Sequence, residues 1–448
     1  MIAHPSNVRL RAYQVGFGDC LLLTVTYDDV LDDGRTERHM LVDFGSREQR
    51  RGGPKMADIA ERIVEHCTPR LDVVVATHRH QDHIKGFGDE TARTHLDSLT
   101  PGFIVRPWTD VPEDQSNDPA LALDEASQHF ISLLEGLHNG VEHIEQQFDL
   151  DDGVISRRAK ELAALGIKNG PAIATLEQWA DAEDARPAWV KAGDTLELED
   201  HMPGVVVRVL GPPTLAEVDK LTSYAKESEE YWLALATDGD LGPLIRPEIA
   251  PLDEALATVA APGGAGAAGW LVRELSDLQR LQALHIVEGF DDVLNNTSVI
   301  LLITVGDRTM LLAGDAQAEN WSLSLDKALG VNGRAHDPVL QQQLADVEVY
   351  KIGHHGSLNA TPRRLYELWE PRTQPGGRPL LSVLTTLHGV YDKSKEGAVP
   401  KEELLDALRL LGPLHSTEDL PEDVWWFDLT APAKGDVPFT YTVGGPVT

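Results

Sequence analysis

The stretch Thr77-His78-Arg79-His80-Gln81-Asp82-His83 sets three imidazoles and a carboxylate within positions 78–83, directly after the apolar run Leu71-Asp72-Val73-Val74-Val75-Ala76. Such a run reads as a buried β-strand, so the cluster sits at the strand's C-terminal end, where open α/β sheets keep their sites. Neutral imidazole and carboxylate are ligands of borderline ions such as zinc, manganese or iron. Successive residues of a strand point to opposite sides, but a tight turn after it lets His78 and His80 converge. Asp82 and His83 can then face a second ion. The plain alternative is a polar turn that happens to be rich in histidine; the specificity of the motif favours a metal site.

The 448 residues are enough for one large domain with insertions, or for two to three domains. With 42% apolar residues the chain can build a sizeable core. Its formal charge of −33 repels phosphate backbones at long range and disfavours non-specific nucleic-acid binding. A local cleft that accepts an anion stays compatible with that charge. Cys20 and Cys67, the two cysteines, lie in or beside apolar segments and read as buried thiols of a reducing compartment. The first residues lack the regions of a signal peptide, and no apolar run approaches the roughly 20 residues that cross a bilayer. The expectation is a soluble cytoplasmic protein without a membrane role.

Strands and helices alternate as in a mixed α/β (α+β) chain. Val8–Val15, Cys20–Tyr27 and His39–Asp43 read as strands, and Lys55–His66 as a helix with Met56, Ile59, Ile63 and Val64 at helical spacing. Residues from about 112 to 190 turn acidic, Ala- and Leu-rich and helical in period, as in Ile131–Leu137 and Arg157–Leu165. Strands return at Thr195–Leu198 and Val205–Leu210. A second helical stretch, about 214–290, holds the Gly/Ala run 262–269, which lacks the Lys-Ser/Thr of a phosphate-binding loop and reads as a linker. Val299–Val305 and Met310–Ala313 form a hairpin around Gly306-Asp307-Arg308. Val347–Ile352 and Leu380–Leu384 are further strands, Lys401–Leu411 a helix, and Val424–Leu429 and Phe439–Tyr441 edge strands.

Three places share one pattern, an apolar strand ending in potential ligands: the heptad, Gly314-Asp315, and Gly353-His354-His355-Gly356-Ser357. Alone, Asp315 is a helix cap and His354-His355 a turn with one core imidazole. Together they suit a two-ion site with a carboxylate bridge.

With Val15-Gly16-Phe17-Gly18-Asp19-Cys20, Leu41-Val42-Asp43-Phe44-Gly45, Leu210-Gly211-Pro212-Pro213 and Asn295-Asn296-Thr297-Ser298, these blocks resemble the metallo-β-lactamase fold, most closely its ComEC/Rec2-like branch. The likeness spans about residues 8–100, 193–213 and 295–410, in the expected order. It implies a four-layer αβ/βα sandwich, 1–448 being a single domain with helical insertions at about 112–190 and 214–290. It also implies two divalent ions, Zn or Mn, at the edge between the sheets. His78 and His80 would hold one, Asp82 and His83 the other, with Asp315 bridging. His354, first off its strand, would complete the second, leaving His355 a substrate or supporting group. Asp43 would orient ligands from behind. Many members carry a further His where this chain has Asn295-Asn296. An amide oxygen suits a harder ion such as Mn²⁺, so the His78/His80 ion is expected to be weak, water-completed or manganese-selective.

The expected activity is that of a metal-dependent hydrolase. A metal-activated water attacks a phosphorus or carbonyl centre, and Asp82 and Asp315 position the nucleophile. Asn296, Ser357 and Lys351 are candidate substrate contacts, and His388 follows a late strand from which it can reach the site. No Gly-X-Ser-X-Gly elbow supports a Ser-His-Asp mechanism. The leading substrate class is a phosphodiester, in a nucleotide or a nucleic acid; the net charge favours a nucleotide or short single strand over long duplex DNA. Alternatives are a lactone, thioester or β-lactam on the same centre, or a non-catalytic module whose acidic insertions bind a protein partner.

Overall fold

The computed structural model describes residues 4–67, 70–99, 101–112, 115–128, 130–131, 169–218, 294–390 and 399–446. The Ile131–Leu137 and Arg157–Leu165 helices, the 262–269 linker and nearly all of the 214–290 stretch therefore lie outside the described residues, Ile131 apart. The first half of the chain supplies β1 (Pro5–Tyr13), β2 (Cys20–Tyr27), β3 (Glu37–Phe44), helix α1 (Met56–Cys67), β4 (Val73–Val75), α2 (Gln81–Gly88), α3 (Glu90–Leu96), β5 (Phe103–Pro107), α4 (Gly170–Ala180), β6 (Arg186–Val190), β7 (Thr195–Leu196) and β8 (Val205–Gly211). The second half supplies β9 (Ile300–Val305), β10 (Arg308–Leu312), α5 (Ala318–Leu329), α6 (Pro338–Ala345), β11 (Val349–Lys351), α7 (Arg363–Trp369), β12 (Leu381–Leu384), α8 (Glu402–Leu411), β13 (Leu414–Ser416), β14 (Trp426–Pro432) and β15 (Thr440–Gly444).

Two mixed sheets result. Their orders are β15-β14-β1-β2-β3-β4-β5-β6 and β13-β12-β11-β10-β9-β8-β7. Each sheet is antiparallel on one side and parallel on the other. The first changes at β3, which pairs antiparallel with β2 and parallel with β4; the second changes at β10, between β9 and β11. Parallel strands buried on both faces read as continuous apolar runs, as in Val73-Val74-Val75, and their C-terminal ends gather at one edge.

Period-two alternation sends each strand's side chains to two different cores. Leu10, Leu23, Met40, Val75 and Val105 of the first sheet join Val207, Ile303, Met310, Val349 and Val383 of the second in one apolar cluster. The alternate residues Leu22, Leu41, Val74 and Ile104 meet Ile59 and Ile63 of α1, Ile84 of α2, Leu96 of α3 and Leu176 of α4. On the second sheet Leu302, Leu311, Tyr350 and Leu384 meet Trp321 of α5, Leu344 of α6, Trp369 of α7 and Leu408 of α8. No helix among the described residues is long and apolar enough to cross a membrane.

Two details differ from the sequence expectation. Residues 186–190, read as the end of a helical stretch, pair parallel with β5 as an edge strand. Only Val190 of this strand is buried, so its sequence lacks the apolar alternation that betrays a strand. Conversely β14, expected at an edge, lies between β1 and β15.

Beneath α1, His39 is 4% exposed and its Nδ1 meets Thr24 Oγ1 of the neighbouring strand at 3.1 Å. Burial, helped by the guanidinium groups of Arg35, Arg9, Arg38 and Arg11, pushes its pKa down to about 3. Between that value and about 6.5 the unfolded chain binds a proton here that the folded chain refuses. Stability from this residue is therefore present above pH ~6.5 and is lost as pH falls towards 3, by up to about 1.4 kcal/mol per unit. A His39→Gln variant is expected to show a shallower fall of its thermal midpoint over that range. Parallel curves for variant and wild type count against the assignment.

Candidate metal centre

The candidate ligands come from chain ends at one edge of both sheets. The backbone of Asp43, at the C-terminal end of β3, has φ +59°, a left-handed conformation rare outside glycine. In that pose its carboxylate accepts hydrogen bonds from Thr77 N, Thr77 Oγ1 and His83 Nδ1, each at 2.7 Å. The turn after β4 is thus pinned to β3 while α2 begins, with Asp82 and His83 in its first turn. Two glycines let the backbones meet. A Cβ on Gly45 would lie 2.4 Å from Asp82 C and His83 N, and one on Gly18 2.6 Å from Asp82 O. Hydrogen bonds from Asp19 N to Asp82 O (2.9 Å) and from Gly45 N to Asp19 O (3.0 Å) close the knot.

The second sheet contributes Asp315 after β10 and His355 after β11. His354 and His355 have φ +44° and +50°, so two consecutive left-handed residues rotate the tandem imidazoles off the strand direction. His355 Nδ1 reaches the Thr385 carbonyl at 2.7 Å. A carbonyl only accepts, so Nδ1 carries the proton and Nε2 faces inward. There it lies 3.2 Å from Asp82 Oδ2 and 3.7 Å from Asp315 Oδ2, and His83 Nε2 lies 3.2 Å from the same Asp315 oxygen. Phe17 covers the His355 ring at 4.1 Å between centroids.

Asp82, His83, Asp315 and His355 are all buried and offer one atom each within 4.8 Å of one another. Four ligands at ~2.0–2.1 Å around a tetrahedral ion are about 3.3 Å apart, and the Asp82–His355, Asp315–His83 and Asp315–His355 pairs stand at 3.2, 3.2 and 3.7 Å. Among the described residues Asp82 Oδ1 is buried without a hydrogen-bond partner, as a carboxylate oxygen waiting for a cation would be. The outer nitrogens of both histidines are already anchored, the arrangement that fixes metal-ligating imidazoles. The donor set therefore fits a divalent ion.

The electrostatics agree. Burial pulls the His83 imidazole down, but Asp315, Asp43 and Asp19 outweigh it and hold its pKa well above the ordinary value. His355 is raised for the same reasons, burial opposing Asp315, Asp82 and Asp19. Burial pushes Asp82 and Asp315 up, yet His355 and His83 keep both below the usual carboxylate range. Protons on the two imidazoles balance charge that a divalent ion would balance in their place.

His78 and His80 stand beside this group and outside it. His78 Nε2 is 3.0 Å from His80 Nδ1. Burial drives the His78 pKa well below normal and that of His80 down to about 4, so both are neutral at pH 7. The Asn295 side chain faces His80, and Asn295 Oδ1 and Asn296 Oδ1 are buried without hydrogen-bond partners among the described residues.

Other expected residues are placed differently from the sequence reading. His354, expected as the ligand, gives its backbone N–H to Asp315 Oδ1 at 3.1 Å, and it is His355 that joins the ligand cluster. The Ser357 hydroxyl bonds Asn359 Oδ1 at 2.6 Å. The His388 side chain is 59% exposed and bonds Glu418 through ring and backbone N–H. Lys351, expected to touch substrate, is 1% exposed: its ammonium pairs with Asp19, donates to Gly314 O at 3.2 Å and lies 3.8 Å from Asp315 Oδ1.

Asp19 and Thr385 went unassigned in the sequence. Asp19 takes the Lys351 ammonium and the Thr385 hydroxyl, and lies 3.6 Å from His83 Nδ1. The only local signal was a carboxylate between two strands after Gly16-Phe17-Gly18. No family model and no curated protein matches this chain.

Proposed function

We propose that the chain is a metal-dependent hydrolase of the metallo-β-lactamase type, close to the ComEC/Rec2-like branch, acting on a phosphodiester. One observation carries the reading: Asp82, His83, Asp315 and His355 converge from two sheets with both imidazoles anchored from behind. The three apolar clusters support a four-layer αβ/βα sandwich, with one core between the sheets and one under each set of helices.

Asp82, His83, Asp315 and His355 would hold one divalent ion, with His355 rather than His354 as the imidazole from the second sheet. When bound, that ion supplies Lewis acidity and lowers the pKa of a water to the neutral range. The chain's own residues do the rest. Asp43 and the Thr385 carbonyl keep Nε2 of His83 and His355 turned inward. The unpartnered Asp82 Oδ1 is placed to accept a proton from a nucleophile or to hold a second cation. Lys351 and the His354 N–H hold Asp315 Oδ1, leaving Oδ2 for the centre. His78 and His80, neutral and beside an amide, would hold a second, harder ion such as Mn²⁺ more weakly.

Turnover of bis(p-nitrophenyl) phosphate with Mn²⁺ or Zn²⁺ tests this, run beside a thioester, a lactone and a β-lactam. The His355→Ala variant is expected to lose tight binding of the first ion and all turnover. His354→Ala is expected to keep ion affinity within about tenfold of wild type, the range for groups behind a ligand. Equal damage from both substitutions removes the distinction between them. Hydrolysis of carbonyl esters alone moves the substrate class, and no turnover with any metal sinks the enzyme reading.

A further inference from the structure

Arg79 stands between His78 and His80, yet its guanidinium goes to Asp110, whose Oδ1 accepts from Arg79 Nε at 2.6 Å. Asp110 Oδ2 accepts from Arg106 Nε, on β5, at 3.1 Å. Two guanidinium groups thus share one carboxylate, leaving a positive charge over in a chain of formal charge −33. The side chains of Arg106 and Asp110 are 4% and 5% exposed, and that of Arg79 21%.

A structural Arg-Asp-Arg triad of this burial would satisfy its donors, because an unpaired buried donor costs stability. Here Arg106 Nη2 and Thr109 Oγ1 are buried with no hydrogen-bond partner among the described residues. The unit also adjoins the metal centre. Trp108 and Val111, flanking Thr109 and Asp110, pack in one apolar cluster with Leu294, the residue before Asn295, whose side chain faces His80. Arg79 is the covalent neighbour of both His78 and His80.

We propose that Arg79 and Arg106 form an anion subsite that takes a phosphate group of the substrate beside the ion-binding cluster. This rests on the phosphodiesterase reading for its substrate class. The planar guanidinium forks match phosphate oxygens two at a time, and Asp110 fixes both planes through their Nε atoms, leaving the Nη edges for the ligand. Arg79, the more exposed partner, is the entry side; Arg106 and Thr109 supply the inner donors.

The test is inorganic phosphate binding to the full chain by calorimetry, as purified and after chelation, with acetate run alongside. Arg106→Gln risks the fold, so Arg79→Gln and Asp110→Asn carry the experiment, each checked by circular dichroism. Arg79→Gln is expected to weaken phosphate binding about tenfold or more, before and after chelation, and Asp110→Asn to tighten it by a similar factor. Arg79→Lys keeps the charge and loses the fork, and is expected to recover only part of the loss. Zn²⁺ affinity of Arg79→Gln is expected to stay near wild type. Phosphate binding unchanged in Arg79→Gln overturns the subsite, as does acetate binding equal to that of phosphate. Arg79-dependent phosphate binding in a protein that hydrolyses no phosphodiester leaves the subsite standing and removes the phosphodiesterase reading.

Discussion

Asp315→Ala is expected to destabilise the metal-free protein by about 3–5 kcal/mol and to abolish tight binding of a divalent ion. Asp315 is 1% exposed, and its carboxylate faces His83 Nε2 at 3.2 Å, His355 Nε2 at 3.7 Å and Lys351 Nζ at 3.8 Å. Removing it leaves those cationic groups buried beside one another, and the loss of a partner costs more than the pair itself contributes. Asp315→Asn separates charge from shape. It keeps an acceptor for the His354 N–H, so it should fold better than the alanine variant and bind metal no better. Equilibrium denaturation after chelation, with a metal titration of each variant, gives both numbers. Wild-type metal affinity in Asp315→Ala removes this residue from the ligand set.

The second large effect is expected from a single methyl group. Gly45→Ala would put a Cβ 2.4 Å from Asp82 C and His83 N, backbone atoms at the start of α2 that no side-chain rotation can clear. The helix must move away from β3, and overpacking of this kind costs about 1–3 kcal/mol. For the hydrolase proposed above the expected loss of turnover is larger, because displacing ligands by ~1 Å is enough for a loss of about a hundredfold. Hydrogen exchange at the start of α2, measured with turnover, locates the damage. A Gly45→Ala protein with wild-type activity means that the loops are free to separate without consequence.

The strands that carry the site were legible because buried parallel strands must be continuously apolar: β2 runs over the Cys20–Tyr27 expected, and the strands before His78, Gly314 and Gly353 are present. The convergence of Asp82, His83 and Asp315 followed the same logic, ligands at the ends of such strands. What the chain concealed is long-range or conformational. His354 comes first off β11 and is the natural choice by order, yet both histidines have left-handed backbone and it is His355 that groups with Asp82, His83 and Asp315. Lys351 looks like a strand surface residue until its partner Asp19, more than three hundred positions earlier, is brought beneath it by the second sheet. Asp110 and Arg106 are ordinary in sequence; only folding shows that Arg79 shares the same carboxylate.

The ligand cluster draws Asp82 and His83 from one sheet and Asp315 and His355 from the other, and 273 positions separate His355 from Asp82. An ion held there is a reversible cross-link between the two halves of the molecule, closed only when both are seated against each other. Unfolding would then release it, so the melting temperature reports free metal concentration: at 1,000 times Kd the native state gains about 4.1 kcal/mol. A cell that starves this protein of metal would then loosen its seam, and would silence the hydrolase proposed above as well.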